Sequence, residues 1–286
     1  NCTFNNHTVQ SGQSLFNLVS TTGIFRNNTF NQIYIPFGKS VMYISPSPFL
    51  QEIISLDMTE NQFIRCKCGL ENVKISANVM LVEKANITLS LINNLFSDAF
   101  QLNPVFYFLN ATFVNSIITN STLQSLEAKN DENFMYEVYY STGSIQFINE
   151  TIENRIPGIS TDFLIKCSES PSVNIVLSDL TWAEDSFKNS IRLADIDSGS
   201  LTILDTVIDN FTYHFRTATE GMIINAGSKQ SQLSSLTITL KNVTFSNLRL
   251  IKSNPLDKSA VGVVGFMGSG EQRDTIWNFE VINCTF

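Results

Sequence analysis

An all-β solenoid is the fold this sequence predicts, on three observations. The first is an apolar spacing of i, i+2, i+4, then i+7 and i+9, as in Leu236, Ile238, Leu240, Val243 and Phe245. The second is its recurrence along the chain. The third is a set of ten Asn-x-Thr triplets, five of which run on into Phe.

The spacing comes first. Leu236, Ile238 and Leu240 alternate at period two, the mark of a half-buried strand. The phase then flips, because the next apolar residues are Val243 and Phe245. A one-residue slip turns every side chain to the opposite face, so the chain must bend near Lys241 and Asn242 for both runs to enter one core. Asparagine suits such a corner because it tolerates the left-handed backbone region.

The recurrence comes next. Copies begin at 73, 104, 173, 204, 236 and 277, with a degraded copy at Ile145, Phe147 and Ile152 and a weaker one from Met42 and Ile44. The starts are separated by 31, 69, 31, 32 and 41 residues, and the degraded copy divides the longest step. A strand, a corner, a second short strand and a return of about 30 residues describe one coil of a solenoid. The runs 200–204, 233–240 and 33–35 are β-branched, and no segment has convincing helical periodicity. Gly221 to Gly227 and Gly262 to Gly268 read as third strands of two successive coils. Polar stretches at 126–134, 184–190, 227–234 and 252–259 read as loops leaving the body. The 22 Phe suit an interior in which like residues stack from coil to coil. The repeats are clearer over 70–286 than over 1–70, and the whole of 1–286 is expected to be one β-helix domain.

The triplets come last. They begin at Asn1, Asn6, Asn27, Asn86, Asn110, Asn120, Asn149, Asn210, Asn242 and Asn283. Random placement of 30 Asn, 24 Thr and 32 Ser gives about 2.5 Asn-x-Thr and about 3.4 Asn-x-Ser; the chain has ten and none. This bias points to an N-glycosylated, extracellular surface. More than half of the ten are expected to carry N-linked glycans, with Asn110, Asn210, Asn242 and Asn283 foremost. A competing cause is a polar outward pair at a strand corner, which explains periodic copies more easily than off-period ones such as Asn6, Asn86 and Asn120.

Composition narrows the partners. The net charge is −8 and only 15% of residues are charged, with no basic run, which excludes a phosphate-neutralising nucleic-acid surface. No 18-residue apolar stretch is present to span a membrane. The chain opens with Asn1-Cys2-Thr3-Phe4 and closes with Asn283-Cys284-Thr285-Phe286, and is expected to be a stretch of something longer. Cys66 and Cys68 are one residue apart, which suits neither a zinc knuckle nor a redox Cys-x-x-Cys. All five cysteines are expected to be structural thiols, Cys2 and Cys284 mainly buried. A disulfide involving Cys66, Cys68 or Cys167 is the alternative.

Ser235 to Asn247 (Ser-Leu-Thr-Ile-Thr-Leu-Lys-Asn-Val-Thr-Phe-Ser-Asn) resembles the parallel β-helix repeat of pectate-lyase-like right-handed solenoids. The Asn-Cys-Thr-Phe repeats with frequent Asn-x-Thr also resemble the β-helical ectodomains of very large protist surface and filament proteins. The resemblance implies a right-handed, three-sided coil; the residues by themselves indicate two phases and a return. It also raises polysaccharide lyases and glycoside hydrolases, which need acid and base groups on adjacent coils. The Asn-Thr-Asp, Asp-Asp and Gly-His-Gly pattern of polygalacturonases is missing. His7 and His214 have no nucleophile or carboxylate at a telling spacing. Asp195 and Asp197, followed by Asp205, could bind calcium or bracket a sugar, with Arg192 nearby, though such a set is more often a solvated strand and turn. Gly262, Gly265, Gly268 and Gly270 lack the Lys-Ser/Thr of a phosphate loop. The aromatic run Phe134 to Tyr140 is either a sugar-stacking platform or the strand of an irregular coil.

The expectation is a structural extracellular or cell-surface glycoprotein, a β-helical building block of a surface layer or filament, with no enzymatic activity, no metal and no cofactor. Its partners would be further copies or other subunits of the assembly, and polysaccharide in the alternative reading of an adhesin-like module. A divergent carbohydrate-active enzyme is the third reading.

Overall fold

The computed structural model describes residues 1–10, 13–47, 52–68, 75–97, 103–124, 134–153, 163–182, 192–215, 223–227, 235–252, 262–267 and 276–286. Its described residues are strands and connections without a helix, so no helix is long and apolar enough to cross a membrane. Every strand pairing is parallel, and the chain winds as a three-sided β-solenoid.

One face, the long sheet, has nine strands running from Gly23–Arg26 through Asn86–Ile92, Ser172–Ser178 and Ser235–Lys241 to Ile276–Ile282. The short sheet has seven strands of two or three residues, from Thr3–Asn5 to Thr181–Trp182. A third sheet of nine strands runs from Phe16–Val19 through Phe134–Tyr139 to Val264–Met267. Facing residues lie from 26 positions apart (Asn174 and Ser200) to 41 (Thr237 and Asn278). Ile224–Gly227 and Val264–Met267 are neighbours in the third sheet, as the two glycine-flanked runs suggested.

The corners explain the spacing. After each long strand one residue takes a left-handed conformation: Asn27, Glu60, Asn93, Asn120, Asn149, Asp179, Asp205, Asn242 and Asn283, with φ between 46° and 56°. That single residue flips the alternation, so Leu236, Ile238 and Leu240 before the corner and Val243 and Phe245 after it are all buried. The same device serves the other two corners, for example at Asn110, Tyr140 and Glu169 between the third and long sheets, and at Asn6, Gln32 and Arg65 after the short sheet.

The apolar spacing therefore marks a corner without saying which one. The copy at 173 straddles the long and short sheets. Those at 236 and 277 straddle the equivalent corner, leading from the long sheet to Thr244–Ser246 and to the Thr285 bridge. In the copy at 104, Phe106 and Phe108 belong to the third sheet and Phe113 to the long one. In the copy at 204 the flip falls at Asn210, between buried Ile208 and Phe211 at the far end of Val207–Asp209, and a further corner, Asp205, lies inside the copy. The copy at 73 is out of phase: Ile75 is exposed, Met80 and Val82 enter the third sheet, and Val73 lies outside the described residues. The loop stretches at 126–134, 184–190, 227–234 and 252–259 also lie outside them, except Phe134, Gly227 and Lys252, which end strands.

Inside, like residues stack. Phe4, Phe30, Phe63 and Phe96 form a ring ladder with centroids 5.0, 4.6 and 5.4 Å apart. Val41, Val79, Val105, Met135, Leu164, Leu193 and Ile223 make a buried row where the chain enters the third sheet. Two polar ladders hold corner backbone. Asn61 Oδ1 accepts from the Asn28 N–H at 3.1 Å, and Asn94 Oδ1 accepts from the Asn61 N–H at 2.9 Å. At another corner, Ser141 Oγ accepts from the Ala111 N–H at 3.1 Å, Ser170 Oγ from the Ser141 N–H at 2.9 Å and Ser198 Oγ from the Ser170 N–H at 2.7 Å. All but the part-buried Asn28 bond satisfy a buried donor that would otherwise cost about 1–3 kcal/mol.

The five cysteines are free thiols. Cys66, Cys68 and Cys167 are buried, and burial raises all three thiols, Cys66 to about 12. Cys284 is half-buried. Cys2, contrary to expectation, is exposed; it stands in the corner row followed by Asn28 and Asn61, and its N–H donates to Asn28 Oδ1 at 3.0 Å.

Candidate functional site: the asparagine corners

A left-handed corner projects its side chain away from the core, because the residue after it takes the inward position, as Ala111, Ser121, Glu150, Phe211 and Val243 do. Eight of the ten triplet asparagines occupy such positions: Asn6, Asn27, Asn110, Asn120, Asn149, Asn210, Asn242 and Asn283, all exposed. Asn86 instead opens a long strand, half-buried and facing outward. The off-period copies Asn6 and Asn120 are therefore corners like the rest, and corner geometry accounts for their asparagines as well.

Geometry accounts less fully for the threonines. Among described residues, Thr stands two positions after eight of the eleven left-handed asparagines, but after only three of the nine other left-handed non-glycine residues. Asn93 and Asn247 are corners followed by Leu95 and Arg249, so an asparagine corner does not itself require a hydroxyl two residues on.

The triplet asparagines concentrate on one edge. Asn27, Asn120, Asn149, Asn242 and Asn283 lie in the column between the long and short sheets. Asn1 precedes Cys2 and Thr3 just as Asn27 precedes Asn28 and Thr29, with Thr3 paired to Thr29. Asn6 and Asn210 flank the far side of the short strands, and Asn110 sits at the corner between the third and long sheets. Neighbours on the edge are bonded: Asn149 Nδ2 donates to Asn120 Oδ1 at 2.7 Å, and Asn242 Nδ2 to Asp205 Oδ1 at 2.8 Å. An amide nitrogen that carries a sugar keeps one N–H, so these bonds are compatible with glycosylation.

A groove of about 490 Å³ opens on this edge where the short sheet is interrupted. Among the described residues the ladder stops at Thr181–Trp182, and Val207–Asp209 pairs with Thr244–Ser246 alone. Asn149, Asp179, Asp205, Val207, Asp209 and Asn210 border the gap. Asp209 accepts from Ser246 at 2.7 Å and Asn247 at 2.8 Å, bonds that hold its carboxyl below the usual range. Among the described residues no group of three His, Cys, Asp or Glu side chains is placed to hold a metal ion.

The other candidates are dispersed. Asp195 accepts from Asn225 Nδ2 at 2.8 Å on the third sheet. Asp197, raised by burial, accepts from the Glu169 N–H at 2.9 Å and from Ser198. Asp205 is at a different corner, so the three carboxylates do not converge. Arg192 is buried at the start of the Asp195 strand. His7 packs 6.2 Å from the Phe4 ring, and His214 is on a strand paired to Ile251. Gly265 pairs with Asn225 inside the third sheet, Gly262 precedes that strand, and Gly268 and Gly270 lie outside the described residues. In the run Phe134 to Tyr140, Met135, Tyr136 and Val138 are buried, while Tyr140 is exposed with its ring centroid 4.1 Å from that of Tyr139.

Sequence reading missed Glu150, which is fully buried at a corner inside the core. It accepts from the Ser121 N–H at 3.1 Å and from the Tyr136 hydroxyl at 3.4 Å, and burial raises its carboxyl to about 8. The signal was its place between Asn149 and Thr151, the inward position of every corner.

Comparison of the chain with protein-family models, with curated proteins and with solved structures gave no match.

Proposed function

We propose that the chain is a structural extracellular glycoprotein, a β-solenoid building block of a surface layer or filament that assembles end to end, carrying N-linked glycans along one edge. The observation that carries this reading is the placement of eight Asn-x-Thr acceptors at exposed left-handed corners, with their threonines over-represented relative to other corners. Glycans in a column would hydrate that edge and hinder lateral aggregation. The role of the body is mechanical, since each coil is hydrogen-bonded to the next along three sheets. Secretion from a eukaryotic host followed by glycopeptide mass spectrometry tests the glycan part: occupancy at more than half of the ten sites supports it, and bare asparagines would overturn it.

A second reading, a polysaccharide-binding module, draws on the groove beside Asp179 and Asp205 and the Tyr139–Tyr140 pair. Calorimetric titration with neutral and acidic oligosaccharides separates the two: saturable heat that Asp205→Ala abolishes would favour the module.

A further inference from the structure

Five consecutive strands of the long sheet contain no charged residue: Asn86–Ile92, Thr112–Thr119, Thr142–Ile148, Ser172–Ser178 and Gly199–Leu204. Charge sits elsewhere, at corners such as Lys84, Glu169, Asp179 and Asp205 and on the third sheet at Glu137, Lys166 and Asp195. Facing outward from these strands are Ser, Thr, Asn and Gln interleaved with half-buried Ile92, Val114, Ile117, Ile148, Val176 and Leu204. The small polar groups bond along the face: Thr142 to Thr112 at 3.2 Å, Asn174 to Ser144 at 3.4 Å and Ser200 to Asn174 at 2.8 Å.

We propose that this uncharged face docks a second copy of the chain, face to face about a two-fold axis. This deepens the assembly reading above and rests on its premise that the chain works as a subunit. Three arguments select the occupant. Two copies of net charge −8 repel through any charged surface, and this face removes most of that penalty. Its size suffices only with its flanks. The five strands, about 4.8 Å apart and about seven residues long at roughly 3.3 Å each, cover on the order of 550 Å². The four flanking strands of the same sheet, which carry Arg26, Asp57, Lys241 and Glu280 as a charged rim, extend this to on the order of 1,000 Å². A stable interface needs about 800 Å² per partner. Its composition also fits, since rows of Ile, Val and Thr suit sheet packing at about 10 Å. No aromatic ring faces outward from these five strands, as stacking on sugar rings would require. Asn86, the one acceptor on this face, stands in its border row.

The test places two like charges at the centre of the face. Val176 and Thr202 are register partners that point outward, so Val176→Glu with Thr202→Glu leaves the core untouched. The charge-matched control is Gln62→Glu with Gln124→Glu, on the outer side of the short sheet. Sedimentation velocity of the secreted 286-residue chain should show a reversible dimer for wild type and control. The face variant should self-associate at least about tenfold more weakly, with an unchanged melting curve. Mixing it with a Val176→Lys, Thr202→Lys chain should restore dimers. A wild-type chain that stays monomeric, or a face variant that dimerises like wild type, overturns the proposal. Should the double variant unfold, Gln146→Glu at an exposed position of the same face carries the same comparison. End-to-end stacking and glycan occupancy are read separately, by microscopy and mass spectrometry, so loss of either leaves this result distinguishable.

Discussion

At the scale of the residue, the corner is the unit that matters. One left-handed residue turns the chain, and the residue after it must place a group inside the core beside backbone that the sheets do not pair. Asn61 does this with both ends of its amide: Oδ1 accepts from the Asn28 N–H, and Nδ2 donates to the Phe25 carbonyl at 2.8 Å. Asn61→Leu should therefore destabilise the fold by about 1–3 kcal/mol in urea unfolding, because it leaves two part-buried backbone groups without their partners. Glu150 occupies the equivalent place with a carboxyl. Its folded value of about 8 lies above the roughly 4.3 of an unfolded Glu, so the folded state holds a proton that the unfolded chain releases. The Glu150 contribution should be fully present below pH of about 4.3, decline as pH rises toward 8 and then level off. Unfolding titrations should show a loss of a few kcal/mol between these limits, and Glu150→Gln should flatten that dependence.

At the scale of the element, alternation decides which substitutions matter. Phe63 is buried in the ring ladder, whereas its neighbour Gln62 is exposed. Phe63→Ala should cost about 3–5 kcal/mol in thermal or chemical unfolding, and Gln62→Ala no more than about 0.5. The same alternation made the strands legible in Leu236 to Phe245, and the phase flip correctly located the bend at Asn242. The faces were not legible, because all three corners use the same one-residue turn. Nor was the irregularity near Asn115 visible, where Ser116 turns inward and accepts from the Leu89 N–H at 3.1 Å. There the register slips by one residue against both neighbours. Opposite it, Gly143 has φ of 88°, and a Cβ would collide with the Phe113 carbonyl oxygen. Such close backbone approaches depend on which coil lies alongside, which no local pattern records.

At the scale of the whole molecule, the three sides differ in character. One edge collects triplet asparagines, the long sheet is uncharged over five strands, and the third sheet carries charge, including the Lys166–Glu137 pair at 3.6 Å. The triplets announced an exposed, repeated element from sequence alone, but their gathering on one edge required the coil register. The groove beside Asp205 was equally hidden, because it arises where a sheet ladder breaks. On the proposed reading, sugars and subunit contacts are seen in one view. Cryo-electron microscopy of the native material tests the central claim most directly. Solenoids stacked in a regular assembly, with sugar density on most corner asparagines, are the predicted result; isolated monomers with bare asparagines would contradict it.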